Sequence, residues 1–189
     1  MWQDYHSDSV IVDIGLNCDE KGFAMSLPAH QITDKDTVFL KRALELADIG
    51  VGRADGGPFG ALIVRNDQIV SEGWNTVITD NDPTAHAEVN VIRLACKKLE
   101  HFHLAGCTLY ASSEPCPMCL SATYWARVDR IIFANNRKEA ALIGFSDEDL
   151  YKELALPISE RQIPTQQMHI NGANDVMSRW MRSGGKVSY

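Results

Sequence analysis

Two short segments each place metal-type ligands at the predicted start of a helix. The first, 84-TAHAEVNVIRLACKKL-99, has apolar residues near every third or fourth position, the spacing of a helix with one buried side. Its first turn carries His86 and Glu88. The second, 115-PCPMCL-120, opens with two cysteines three positions apart. The chain is therefore restricted to folds that bring two helix starts to one point.

One histidine and two thiolates form a ligand set for zinc. His86, Cys116 and Cys119 would supply three ligands, and the fourth tetrahedral position would stay open for water, as in catalytic zinc sites. The unpaired N–H groups of a helix start stabilise thiolates, so we expect both cysteines to lose their protons readily. Glu88 is not needed as a ligand. We predict that it takes a proton from the water and returns it to a leaving nitrogen.

Other chemistry is possible for a lone CxxC segment. A redox pair would leave His86 and Glu88 unexplained. A structural zinc site is closed by four protein ligands, and the sequence has neither a second CxxC nor paired histidines. A catalytically silent zinc module that serves in assembly remains as an alternative. The other three cysteines are interpreted as bystanders: Cys18, Cys96 and Cys107.

Length and charge limit the class of protein. The 189 residues suit one domain with a sizeable core, and they contain no apolar run of the roughly 18 residues that a membrane span needs. The acidic N-terminus lacks the basic segment of a signal peptide, and five cysteines point to a reducing compartment, so we expect a cytoplasmic protein. A net charge of −7 argues against general nucleic-acid binding and favours a small-molecule substrate.

The order of predicted elements indicates the fold class. Residues 1–33 are interpreted as an extension of unknown role, with a short strand at 10–14, and residues 34–189 as one domain. Within that domain we predict helices at 36–51, 86–99, 116–127, 137–143, 147–155 and 174–183. We predict strands at 60–67 and 68–76, joined by a turn at Asn66–Asp67, and at 107–112, 130–135 and 163–170. Strands that alternate with helices after one hairpin predict an α/β sandwich around a mixed sheet.

The combined signature His86-Ala87-Glu88 and Pro115-Cys116-Pro117-Met118-Cys119 resembles that of the zinc nucleobase deaminases. Further segments extend the resemblance to the bacterial guanine deaminases of the cytidine deaminase fold: 57-GPFGALIV-64, 82-DPTAHAEV-89, 113-SEPCPMC-119 and 144-GFSDEDLYKE-153. Plant guanosine deaminases are similar in pattern. The resemblance covers 34–189. It implies a three-layer α/β/α sandwich with a mixed five-stranded sheet, and a homodimer whose C-terminal segment crosses to the partner's active site.

The resemblance also implies a role for individual residues. His86, Cys116 and Cys119 would hold one zinc ion per subunit, and Glu88 would shuttle protons. Asp147 would bind the guanine edge and assist proton transfer. The substrate-binding residues would be Asn75, Phe59, Ala87, Trp125 and, from the neighbouring subunit, Tyr189.

Several of these residues have a second interpretation. Phe59 and Trp125 suit a hydrophobic core, Asn75 suits a turn, and Asp147 suits the N-cap of the helix at 147–155. Ser146 departs from the family pattern, in which a second acid is frequent, and this departure bears on substrate range.

The reaction implied is the hydrolysis of guanine to xanthine and ammonia in purine salvage or catabolism. Guanosine deamination is the nearest alternative. Deamination of adenosine in tRNA is a second alternative, but it needs a basic surface for the anticodon arm. The segment 137-RKEAALIGFSDEDLYKE-153 is mostly acidic after Lys138, which argues against that alternative.

Overall fold

The computed structural model describes residues 31–185 and residue 187. The predicted strand at 10–14 and Tyr189 lie outside the described residues. The described helices and strands are α1 (Asp34–Arg53), β1 (Gly60–Arg65), β2 (Gln68–Trp74), α2 (Val77–Asp80), α3 (Ala87–Leu99), β3 (Cys107–Ser113), α4 (Pro117–Trp125), β4 (Arg130–Asn135), α5 (Arg137–Leu142), α6 (Glu148–Ala155), a short 3₁₀ turn (Ile158–Glu160) and α7 (Ala173–Arg182).

The strands form one mixed sheet in the order β2-β1-β3-β4. β1 runs antiparallel to both β2 and β3, whereas β3 and β4 are parallel. β2, β3 and β4 therefore point the same way, and their carboxyl ends meet at one edge. The chain enters α4 and α5 directly from this edge. In sheets of this kind, ligands bind beyond the carboxyl ends of the strands.

Alternating side chains along the strands divide the core into two halves. Leu62 and Val64 pack with α1 on one face of the sheet. Ala61 and Ile63 pack with α3 on the other face, and α4 lies beside α3. The arrangement is an α/β fold with helices on both faces of a mixed sheet, as predicted.

The sheet has four strands in the described part of the chain, and the prediction of a strand at 163–170 is wrong. Residues 164–170 have no regular structure, and Met168 and Ile170 are 81% and 64% exposed. Only Met168 and Ile170 alternate with a polar residue in this segment, and a strand also needs a neighbour to receive its backbone hydrogen bonds. None of the described strands pairs with it.

Local signals predicted most of the remaining elements to within a few residues. The hairpin turns at Asn66 and Asp67, which both have positive φ, as a tight turn between antiparallel strands requires. α1 begins at Asp34, where Thr33 and Asp36 form a reciprocal cap. The short helix α2 has no counterpart among the predicted helices. None of the described helices is both long and apolar enough to cross a membrane.

Candidate active site

His86 lies immediately before α3 in an extended conformation, and its side chain makes no capping hydrogen bond. The imidazole is therefore free to face another element. The preceding turn is fixed by Asp82, whose Oδ1 accepts hydrogen bonds from the backbone N–H and the hydroxyl of Thr84. Asn90 Nδ2 donates to the carbonyl oxygen of Trp74 at 3.0 Å and so holds α3 against the end of β2.

Cys116 occupies the equivalent position before α4. The backbone N–H of Cys119 donates to Cys116 Sγ at 3.5 Å, and Pro117 fills the first helical position, where no donor is needed. The backbone N–H of Glu114 donates to the carbonyl oxygen of Asn135 at 2.7 Å. This bond continues the pairing of β3 with β4 and fixes the loop that carries the first cysteine.

The three predicted metal ligands converge on one point. His86 Nδ1 lies 3.6 Å from Cys116 Sγ and 3.5 Å from Cys119 Sγ. All three ligand atoms lie within 4.8 Å of one another. A tetrahedral zinc ion with ordinary Zn–S and Zn–N bond lengths separates a sulfur from a nitrogen by roughly 3.6 Å. The donor set and its spacing therefore fit zinc.

Burial and mutual hydrogen bonds also shift the pKa values of the three ligand groups. The hydrogen bond from the Cys119 thiol, with help from His86, lowers the pKa of Cys116 to about 4 against the opposing effect of burial. The pKa of His86 is raised, chiefly by its hydrogen bond with Cys116. The pKa of Cys119 is raised because its thiol is hydrogen bonded to Cys116 and is buried. The site already favours one thiolate, and a divalent cation would displace the remaining shared protons.

Glu88 lies beside the ligands and is only 6% exposed. Its Oε2 accepts a hydrogen bond from the Cys119 thiol at 3.4 Å. Burial, supported by the nearby charge of Cys116, raises the pKa of Glu88 to about 6. A carboxyl group with a pKa near neutrality can both take up and release a proton at ordinary pH.

A narrow cavity opens over this group. Its lining residues are Phe59, His86, Glu88, Ser113, Glu114, Cys116, Ala140, Phe145 and Asp147. The rings of Phe59 and Phe145 meet edge to face with centroids 4.9 Å apart. Asp147 stands at the N-cap position of α6 but makes no capping hydrogen bond with its side chain. Burial, followed by the charge of Cys116, raises the pKa of Asp147, in keeping with a carboxyl group on the cavity wall.

Asn75 is a turn residue that is bonded to the loop carrying Phe59, and it is not among the residues that line this cavity. It is 3% exposed, and its Oδ1 accepts hydrogen bonds from the backbone N–H groups of Gly57 and Val77, each at 3.2 Å. Its own N–H donates to the carbonyl oxygen of Phe59 at 2.9 Å. None of the hydrogen bonds among the described residues uses its Nδ2.

The other predicted substrate residues are placed differently. Ala87 is fully buried in the core at the start of α3. Trp125 is 66% exposed and lines an apolar groove between α3 and α4, together with Ile92 and Phe102. It is therefore not a core residue, and it does not line the metal cavity of its own chain.

Four cavity residues were missed by sequence reasoning: Ser113, Glu114, Ala140 and Phe145. Glu114 directly precedes the Pro115–Cys116 pair, and Phe145 lies two positions before Asp147. Both lie in segments that carried the family resemblance, so proximity to the assigned residues was an available signal. Their side-chain directions depend on loops that have no periodic pattern.

The chain resembles known deaminases along most of its length. Residues 33–135 match the cytidine and deoxycytidylate deaminase zinc-binding region. The guanine deaminase of Bacillus subtilis strain 168 is 48% identical over 151 residues, which are 80% of this chain and 97% of that protein. The X-ray structure of guanine deaminase from Bacillus subtilis has a TM-score of 0.80 at 46% identity and covers 84% of this chain and 99% of that chain.

A tRNA-specific adenosine deaminase is also similar, but less so. The protein from Aquifex aeolicus strain VF5 is 32% identical over 145 residues, which are 76% of this chain and 92% of that protein. The region common to the family contains the histidine, glutamate and two cysteines that meet at the cavity. The chain belongs to the zinc-dependent cytidine and deoxycytidylate deaminase family.

Proposed function

We propose that this protein catalyses the hydrolysis of guanine to xanthine and ammonia, with one zinc ion per subunit. The observation that carries the proposal is the cavity in which three metal ligands, the buried carboxyl of Glu88 and the carboxyl of Asp147 meet. The similarity to a guanine deaminase over nearly that enzyme's full length supports the choice of substrate.

When bound by His86, Cys116 and Cys119, zinc supplies the Lewis acidity that makes a water nucleophilic near neutral pH. Glu88 takes the proton of that water and delivers it to the ring nitrogen next to C2 of guanine. It then passes the second proton to the departing amino group. A C–O bond forms, the C–N bond breaks and ammonia leaves. The raised pKa of Glu88 suits both transfers.

We propose that residues in and near the cavity wall select a purine. Phe59 and Phe145 offer aromatic surface to a flat base. The Nδ2 group of Asn75 is the donor available for an acceptor on the base, since its Oδ1 is engaged by the backbone. The carboxylate of Asp147 would accept hydrogen bonds from the N–H groups on the guanine edge. Adenine presents a lone pair at the corresponding ring nitrogen, which a carboxylate repels.

We also propose that the protein is a cytoplasmic homodimer. Helix α7 leaves large apolar side chains exposed, namely Val176, Met177 and Trp180, and the end of α4 exposes Tyr124 and Trp125. Such surfaces are typical of association. In the proposed dimer the C-terminal segment of one subunit reaches the cavity of its partner. Tyr189 of that segment and Trp125 of the same subunit would contact the base there. Residues 34–189 would form the catalytic domain and residues 1–33 an extension. Free thiols that can bind zinc are typical of a reducing compartment.

The test is ammonia release by the zinc-loaded protein from guanine, guanosine, adenine, cytosine and cytidine, with Glu88→Ala as the matched inactive variant. Turnover of guanine that disappears in the variant supports the proposal. Turnover of guanosine alone would assign the protein to nucleoside catabolism. Adenosine deamination in a tRNA anticodon stem-loop, without turnover of guanine, would favour the tRNA enzymes. No turnover of any of these, with unfolding on zinc removal, would leave a structural zinc module.

A further inference from the structure

Arg137, the first residue of α5, contacts the loop that carries Cys116. Its backbone N–H donates to Oε2 of Glu114 at 2.9 Å. Its Nε also pairs with Oε1 of the same carboxylate at 3.4 Å. Both oxygens of Glu114 are therefore engaged by one residue, and the guanidinium is held at the rim of the cavity.

The guanidinium of Arg137 also contacts α6. It lies over the ring of Tyr151, 4.6 Å from the ring centroid. Tyr151 stands one helical turn after Asp147, and its backbone N–H donates to the carbonyl oxygen of Asp147 at 3.0 Å. A restraint on the Tyr151 ring is therefore transmitted directly to the residue whose carboxyl lies on the cavity wall.

This restraint matters because α6 is not anchored in the core. The helix has no buried residue, and neither of the two core clusters includes one of its side chains. The contact of Phe145 with Phe59 holds the segment that precedes the helix, but it does not hold the helix itself. The orientation of Asp147 thus depends on side-chain contacts at the rim.

We infer that Glu114, Arg137 and Tyr151 form a clamp, with Arg137 as a positioning residue that holds Asp147 toward the reacting base. The inference rests on the proposed function, because it takes Asp147 to contact guanine. The clamp links the loop that carries the first zinc cysteine to the helix that carries the second carboxyl group. One guanidinium therefore holds the metal site and the substrate site in a fixed relative position.

Tyr151→Leu removes the ring face that the guanidinium contacts, and Tyr151→Phe is the matched control because it keeps that face and loses only the hydroxyl. We expect Tyr151→Leu and Arg137→Met to lower kcat/KM for guanine by about 3- to 30-fold, the range of a cation–π contact. Tyr151→Phe should stay within about twofold of wild type. Zinc content should be unchanged in all three variants.

A second readout does not depend on turnover. Amide hydrogen exchange of residues 147–156 should be faster in Tyr151→Leu and Arg137→Met than in wild type and Tyr151→Phe, whereas exchange in α3 should not change. Unchanged exchange of 147–156 in both disrupting variants would overturn the clamp. So would equal losses of activity in the Leu and Phe variants. If wild type fails to deaminate guanine, the proposed function fails, and the exchange data still decide whether the clamp exists.

Discussion

The proposed proton-transfer role of Glu88 depends on its surroundings. A carboxyl group in water is almost fully ionised at neutral pH, but burial raises the pKa of this one to about 6. The backbone places it in the first turn of α3, two positions after a metal ligand and within reach of Cys119. The same burial that makes the residue an effective proton carrier also makes its ionised form unfavourable for folding.

Glu88→Gln tests the proton-transfer role. The amide keeps the size of the side chain but cannot accept the water proton. We expect kcat/KM for guanine to fall by about 10²- to 10⁴-fold, with zinc content unchanged. Kinetics and metal analysis on the same preparation measure both quantities. A large loss of zinc in this variant would show that Glu88 holds the metal instead.

The pH dependence of stability gives a second test on the chelator-treated protein. The folded form binds the Glu88 proton more tightly than the unfolded chain, whose carboxyl titrates near 4.5. Stability from this group is therefore present below about pH 4.5 and is lost as pH rises through about 6. Relative to Glu88→Gln, the unfolding free energy of wild type should fall by about 2 kcal/mol between pH 4.5 and 7. Urea unfolding at several pH values measures it, and a constant difference would contradict the assignment.

Two substitutions separate the structural and substrate roles of Asn75. Asn75→Asp keeps an oxygen for the N–H groups of Gly57 and Val77 but loses the Nδ2 donor. Asn75→Ala loses both functions. We expect kcat/KM to fall by about 10- to 100-fold in both variants. Only the Ala variant should lose the full stability, about 1–3 kcal/mol, because it alone leaves the N–H groups of Gly57 and Val77 without an acceptor. Wild-type turnover by Asn75→Asp would remove Asn75 from the substrate site.

At the scale of elements, a buried ion pair fastens α1 to the sheet. Asp36 lies in the first turn of α1, and Arg130 Nη1 of β4 pairs with its Oδ1 at 3.1 Å. The Tyr110 hydroxyl of β3 donates to the same oxygen, and Thr33 completes the helix cap. Burial disfavours the Asp36 charge, but the hydrogen bonds from Tyr110, Thr33 and Arg130 outweigh it and lower the pKa to about 2.

This network predicts a defined acid sensitivity. Because the folded pKa of Asp36 is depressed, its contribution to stability is present above about pH 4 and is lost as pH falls through about 2. Asp36→Asn should be less stable by about 3 kcal/mol at pH 7, since Arg130 loses the carboxylate with which it pairs. The difference from wild type should shrink by about 2 kcal/mol on acidification to pH 2. Tyr110→Phe, which removes one hydrogen bond, should cost only about 1 kcal/mol at pH 7. A difference that does not depend on pH would contradict this account.

At the scale of the whole molecule, the proposed zinc ligands would join the starts of two different helices. His86 comes from the start of α3, and both cysteines come from the start of α4. A metal that binds all three ties these helices together only in the folded chain. The core clusters on the two faces of the sheet do not require the metal for their packing. Zinc should therefore stabilise a fold that already exists.

Chelation tests this expectation. Removal of zinc should lower Tm by about 5–10 °C relative to protein with free zinc at a hundredfold its dissociation constant. The far-UV circular dichroism spectrum should stay close to that of the loaded protein, and added zinc should restore Tm. Cys116→Ser should abolish most of the zinc-dependent rise. Complete loss of secondary structure on chelation would mean that the metal, and not the core, determines the fold.

The parts of this protein that sequence predicts best are those determined by local chemistry. The hairpin at Asn66–Asp67 and the start of α4 at Cys116 follow from residues within a few positions, so spacing was enough to predict both. A strand at 163–170 would depend on a partner strand, and the residues of this segment carry no information on whether one exists. Likewise, no pattern indicated that Phe145 would face Phe59 or that Trp125 would lie on another groove, because loop and helix packing decide both.

The absence of buried residues in α6 has a consequence for engineering the enzyme. The proposed metal ligands are attached to helix starts next to the sheet, whereas Phe145 and Asp147 of the cavity wall precede a helix that the core does not hold. Libraries that vary residues 143–146 and leave Asp147 intact should therefore retain folding yield and zinc affinity while altering which amino-heterocycles are accepted. We therefore expect the half of the site that holds the metal to stay constant while the segment before Asp147 tolerates redesign.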